Sequence, residues 1–100
     1  MLKADGEIKF TLVNREYKGG KHFRPVFSFG DDLLFSGTIV SEIEDFLYNQ
    51  VYRVFVEFFT IEDEAYAFLK PMLKNNMDLT IREGSRIVGI AKLSNFEYSD

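Results

Sequence analysis

The chain contains no cysteine. That excludes a disulfide framework and a thiolate metal site, and it fits a reducing compartment. The first seven residues, MLKADGE, lack the apolar core of a signal peptide. No run approaches the ~20 apolar residues that cross a bilayer as a helix. A cytoplasmic protein is therefore expected. Cations do not predominate either: 12 Lys and Arg face 16 Asp and Glu, a net charge of -4. This balance disfavours a general polyanion binder, although a local basic patch is compatible with it. Histidine occurs once, as His22. There is no internal repeat, linker or low-complexity tract, so residues 1–100 are expected to form a single domain.

What is present is apolar and aromatic. Hydrophobic residues make up 46% of the chain and aromatic residues 16%, mostly Phe. Such side chains suit pleated, half-buried surfaces and favour β structure. A chain of this length buries one core and removes roughly two-thirds of its unfolded surface from water.

Residues 7–13 (EIKFTLV) alternate, with Ile8, Phe10 and Leu12 on one face, and predict a half-buried strand. Residues 14–22 form a polar loop around Gly19-Gly20. Four cations (Arg15, Lys18, Lys21, Arg24) and one anion (Glu16) give the stretch 15–24 a local balance of 4 - 1 = +3. Residues 23–29 read as a second strand, with Pro25 at its start or on an edge. Residues 33–40 read as a third, with Gly37 at a bulge or close approach. Residues 41–49 fit either a helical turn or a long connection.

The strongest strand is 51–60 (VYRVFVEFFT). Tyr52, Val54, Val56 and Phe58 share one face; Val51, Phe55 and Phe59 share the other with Arg53 and Glu57. Either both faces are covered or one is left for a partner. If Phe55 faces the core, Phe55→Ala is expected to cost ~3–5 kcal/mol. Residues 61–73 switch to helical spacing at Ile61, Ala65, Phe68, Leu69, Met72 and Leu73, a stripe expected to pack on the sheet. Thr60 with Asp63 resembles a capping box, and Pro71 should end the helix near Lys70. Residues 77–82 and 86–93 flank the turn Glu83-Gly84-Ser85-Arg86 and form the clearest hairpin; Gly89 could admit a close neighbour. The polar tail 95–100 should fray unless Phe96 and Tyr98 extend the last strand. The expected fold is mainly β: a small six-stranded antiparallel barrel with one short helix inserted before the last hairpin.

Catalytic patterns are poor, and no enzyme is expected. A nucleophilic triad would need Ser28, Ser36 or Ser85 to meet His22, oriented by Asp31 or Asp32, and no spacing supports it. One histidine and scattered carboxylates make a weak metal site. No cofactor motif is present, and the phosphate loop GxxxxGK[ST] is absent.

REGSRIVGIAKL, through Arg82, Glu83, Gly84, Arg86, Val88 and Gly89, resembles the REGGRTVGAGVV-type hairpin that ends the third, C-terminal barrel domain of elongation factor Tu. Gly19-Gly20-Lys21-His22 is similar to that domain's GGRH. Arg24-Pro25, Phe27, Phe29 and Gly37-Thr38-Ile39 are similar to its RPQFYF and TGTI segments. The order is kept, and the likeness spans residues 7 to 96. The resemblance implies a barrel that does no chemistry, packs on a GTPase domain and contacts tRNA. It implies an inherited binding surface at Lys21, His22, Arg24, Arg82, Glu83, Gly84 and Arg86. The chain departs from the family in having no GTPase domain and no second barrel. Its segment after His22 is shorter, and its stretch 61–76 is longer.

Function is therefore expected to be non-catalytic binding. Protein–protein interaction leads, as an immunity protein, antitoxin or translation-factor mimic, with candidate contacts Glu42, Glu44, Asp45, Phe55 and Phe59. The acidic balance suits a basic toxin or a translation component as partner. The alternatives are a tRNA- or RNA-binding module and a homodimer through the Phe-rich strand.

Overall fold

The computed structural model describes residues 1–11, 17–18, 24–30 and 33–99, the pair 17–18 by its backbone alone. Among the described residues nine strands and one helix follow in order: β1 (Leu2–Phe10), β2 (Tyr17–Lys18), β3 (Val26–Ser28), β4 (Leu34–Ser36), β5 (Thr38–Val40), β6 (Asp45–Phe46), β7 (Val51–Phe58), α1 (Asp63–Leu69) continued by a 3-10 turn (Lys70–Met72), β8 (Met77–Glu83) and β9 (Arg86–Tyr98).

The main sheet runs β4-β3-β8-β9-β1-β7-β5, and every neighbouring pair is antiparallel. Its two outermost strands, β4 and β5, are separated in the chain by Gly37 alone. One run thus pairs with β3 through its first half and with β7 through its second. The sheet therefore curls until its ends meet in the same segment. Counting β4 and β5 as two halves of one strand gives a small six-stranded antiparallel barrel. Gly37 makes the transfer possible: a Cβ there would lie 2.8 Å from Cε2 of Phe27 and 2.9 Å from Cγ1 of Val56. Its N–H donates to the Pro25 carbonyl at 3.0 Å, continuing the β3 side of the seam. Closure of this kind conceals the backbone edges that an open sheet would expose.

Inward side chains alternate along each strand. On β1 they are Leu2, Ala4, Ile8 and Phe10; on β7, Val54, Val56 and Phe58; on β8 and β9, Met77, Leu79, Ile81, Val88, Ala91 and Leu93. Phe27, Phe29 and Phe58 form an aromatic line, with 5.3 Å between the ring centroids of Phe27 and Phe58 and 5.3 Å between those of Phe29 and Phe58. Beyond Phe10, one end of the barrel is filled by Phe46, whose ring lies 5.6 Å from Phe10 and 5.1 Å from Tyr52. At the opposite end Ile61 and Leu69 are fully buried.

Several sequence expectations need correction. The first strand begins at Leu2 rather than at residue 7, because small inward residues, Ala4 and Gly6, hide its alternation. Of the two readings of residues 41–49, the structure has the long connection, within which β6 pairs with β2. The helix N-cap is Glu62, not Thr60, and no side chain caps it. Asp63 instead accepts a 2.8 Å hydrogen bond from the Tyr98 hydroxyl. Phe68, placed in the packing stripe, points to solvent at 64% exposure, while Ala65, Met72 and Leu73 pack on the core. The tail does not fray: β9 continues through Phe96 to Tyr98. The loop cations Arg15 and Lys21, with Glu16 and His22, lie outside the described residues.

Candidate functional site: a groove over Phe55

The alternation of β7 that buries Val54, Val56 and Phe58 turns Val51, Arg53 and Phe55 outward. Phe55 is 61% exposed. It stands directly opposite Val40 on β5 and Asp5 on β1. Val40 is exposed as well, so an aliphatic and an aromatic side chain face water side by side. Two residues along β1, Glu7 lies between Arg53 of β7 and Lys92 of β9 in the ladders.

Two local features raise walls beside this face. The ladder between β5 and β7 ends at the Val40–Phe55 pair. There Ser41 Oγ accepts a 3.1 Å hydrogen bond from the Ile43 N–H, which turns the chain, exposes Glu42 and tucks Ile43 against the core. On the far side, Asn76 and Asn95 adopt left-handed backbone angles, φ 60° and 54°. Asparagine tolerates this conformation better than most residues. Ser94 Oγ accepts from the Asn76 N–H at 2.8 Å, and Asn95 Nδ2 donates to Asp5 Oδ2 at 2.7 Å. The β1–β9 register shifts between Lys3 and Asp5, beside this contact.

The resulting open groove holds about 830 Å³ between Val40–Ser41–Glu42–Ile43 on one side and Asn76 and Ser94 on the other. Asp5, Glu7, Arg53, Phe55 and Lys92 also line it. Its cations have anionic neighbours: Arg53 and Lys92 flank Glu7, and Lys92 Nζ lies 3.8 Å from Asp78 Oδ1. Glu42 has no ion-pair partner among the described residues, and Asp5 meets only the neutral Asn95 amide. The field around Phe55 and Val40 is therefore acidic. Among the described residues no group of three or more His, Asp or Glu could hold a metal ion.

Of the residues singled out in the sequence, Glu42 and Phe55 meet in this groove. Glu44 and Asp45 are exposed farther along the connection and do not line it; Phe59 is exposed just past β7. The other group gathers at the Phe10 end of the barrel. Val26 pairs with Arg82, so Arg24, two residues earlier, lies at the same end as Glu83, Gly84 and Arg86. Arg82 Nε donates to Thr80 Oγ1 at 3.3 Å, and Gly84 takes φ +60° in the exposed turn. Lys21 and His22 lie outside the described residues. Sequence reading missed Asp5, Val40, Ile43 and Lys92 as groove residues. The missed signal was the strand alternation from Leu2, which places Lys3, Asp5 and Glu7 outside.

The opposite end of the barrel is structural. The Tyr98 ring stacks on Tyr66 at 4.0 Å, and Glu62 Oε2 also lies within 3.2 Å of its hydroxyl. Loss of hydration and the Asp63 and Glu62 carboxylates push the Tyr98 phenol well above its usual range. The hydroxyl thus stays a donor and ties α1 to β9. No described helix is long and apolar enough to cross a membrane. Neither the models of known protein families nor the curated proteins provide a match to this chain.

Proposed function

We propose that the chain is a non-catalytic binding module that engages a protein partner through the groove over Phe55. The observation that carries this reading is an aromatic ring left 61% exposed beside Val40 between two walls. Clustered exposed apolar surface rimmed by polar groups marks interaction sites more often than it occurs by chance. Acidic Asp5 and Glu42 favour a partner that presents an apolar side chain next to a cation. An immunity protein or antitoxin facing a basic toxin fits this chemistry, as does a translation-factor mimic. Kinship with the third domain of elongation factor Tu belongs to the same proposal, supported by the ordered sequence matches and a compatible barrel.

The test uses tagged protein incubated with lysate of its host. A stoichiometric partner should be retained, and Phe55→Ser should weaken its capture about tenfold or more, as loss of a central aromatic anchor does. Glu42→Lys should weaken a basic partner and leave the thermal midpoint unchanged. If both variants retain the partner as well as the unaltered chain, the groove is not the site.

The clustering of Arg24, Arg82 and Arg86 at one end favours a second reading, contact with RNA. That reading predicts a tRNA gel shift at low salt that fades steeply as salt rises. Absence of any shift at low salt removes it.

A further inference from the structure

We infer that the groove seats one arginine side chain of the protein partner, with its methylenes on Val40, its guanidinium on the Phe55 ring and its N–H edge at the Asp5 carboxylate. This rests on the groove being the binding site. It merges the apolar group and the cation that the site favours into a single side chain.

The inference begins with one row of the outer surface. Val40 pairs with Phe55 across β5 and β7, and Phe55 pairs with Asp5 across β7 and β1. Val40 and Phe55 are exposed and Asp5 is half-buried, and the three stand in line on the outward face. Neighbours in such a row have Cβ atoms ~5 Å apart, so aliphatic, aromatic and anionic surface follow one another within ~10 Å. An arginine laid along the row has its parts in the matching order: apolar stem, flat cation, then donors at the far edge.

Charge selects a cation. Asp5, Glu7 and Glu42 line the groove with Arg53 and Lys92, a balance of 2 - 3 = -1. One guest cation neutralises it. Glu7 stands between Arg53 and Lys92 in the ladders, which leaves Asp5 and Glu42 to meet the guest. Asp5 Oδ2 accepts from Asn95 Nδ2 at 2.7 Å, and Oδ1 accepts from no described residue.

The single ring selects arginine among cations. A guanidinium is planar and weakly hydrated, so it stacks on one aromatic face and still donates in its own plane to a carboxylate. A methylated ammonium is held instead by a cage of several rings. Among the described residues Phe55 is the only aromatic side chain that lines the groove. Lysine reaches a carboxylate as a point charge but has no flat face to lay on Phe55. A second copy of this chain would have to present its own Arg53, which already stands opposite Glu7.

The probe is the peptide acetyl-Gly-Arg-Gly-amide, titrated into the nitrogen-15-labelled full chain and followed by NMR. Saturable shifts are expected in the millimolar range, centred on Val40, Phe55 and Asp5. The Hδ signals of the probe's arginine should move upfield under the ring current of Phe55, and Phe55→Ser should abolish that movement. The lysine analogue should bind more weakly by about threefold or more. The citrulline analogue, of similar shape but neutral, should not saturate. Asp5→Asn should weaken the arginine probe by about threefold, as loss of an exposed ion pair does. No saturable binding, equal binding of the lysine analogue, or shifts indifferent to both substitutions overturns the arginine seat. A concentration-dependent dimer by sedimentation that Arg53→Lys abolishes assigns the seat to a second copy and also overturns it. If host-partner capture is lost in Phe55→Ser while the peptide results are negative, only the arginine seat fails. If capture is indifferent to Phe55→Ser, the proposed function fails with it.

Discussion

Phe58→Ala will lower unfolding free energy by about 3–5 kcal/mol, the cost of emptying a well-packed aromatic site. The ring is fully buried. It meets Phe27 edge-on at an interplanar angle of 77° and Phe29 at 65°, so its removal takes a ring contact from both, Phe29 keeping its edge contact with Phe35. Its backbone also pairs with Leu2, at the start of β1. A domain of this size commonly has ~5–15 kcal/mol in total, so the variant should approach the unfolding threshold at 37 °C. Urea titration is the measurement: the midpoint should fall with an unchanged slope, since the surface exposed on unfolding is nearly the same.

Phe55→Ala, three residues away on the same strand, should cost less than about 1 kcal/mol, because an exposed side chain loses little packing when truncated. The sequence left two readings of this strand, both faces covered or one free, and the structure has the Phe55 face open. Similar losses in the two variants would overturn the assignment of the faces of β7. A small loss at Phe55 together with loss of a partner would show that the residue serves binding while Phe58 serves the fold.

The contrast between these two phenylalanines shows what was legible in the chain. Period-two patterns of large residues exposed β7 and the final hairpin, and the switch to helical spacing exposed α1. Where the inward residue was Ala4 or Gly6, the same alternation existed without an apolar signal. A Cβ at Gly6 would meet Leu93 Cδ2 at 2.9 Å, so the neighbouring strand supplies the bulk that β1 lacks. Pattern reading sees one strand at a time and cannot register that exchange. Phe46 was obscured for a related reason: its acidic neighbours Glu44 and Asp45 read as an exposed contact surface, yet the ring between them and Leu47 fills the barrel end against Phe10.

The candidate site was legible in fragments. Glu42 and Phe55 were chosen for separate reasons, charge and exposed aromatic surface, and 13 positions of sequence separate them. Only the β5–β7 pairing, followed by the turn at Ser41, brings them into one groove. Asp5 enters because β1 pairs with β7, and Lys92 because β1 also pairs with β9. Cross-strand register created the site, and no local motif encodes it. The Arg82–Arg86 turn, by contrast, was recognisable because all of its residues are adjacent in sequence.

Gly89→Ala should be severe although it adds a single methyl group. Gly89 stands opposite Phe10 in the β1–β9 ladder. An added Cβ would lie 2.6 Å from the Lys9 carbonyl oxygen and 3.2 Å from both Cα and Cδ1 of Phe10. A side chain could rotate away, but a carbonyl in a ladder cannot. Nor can β1 retreat, because its other flank is paired with β7 from Leu2 to Lys9. Overpacking of this kind costs about 3 kcal/mol, at the upper end of its ordinary range, when the obstacle is backbone. At ~4–8 °C per kcal/mol for a domain of this size, the thermal midpoint should drop by about 12–24 °C. Gly84→Ala is the control: its site is open, and its φ of +60° leaves only the left-handed backbone penalty of about 1–2 kcal/mol. A second comparison separates backbone from ring. If the carbonyl is the obstacle, Gly89→Ala should cost the same in a Phe10→Leu background to within ~0.5 kcal/mol. A markedly smaller cost there would place the conflict at the Phe10 ring, and the close approach of β1 and β9 would no longer be what requires glycine.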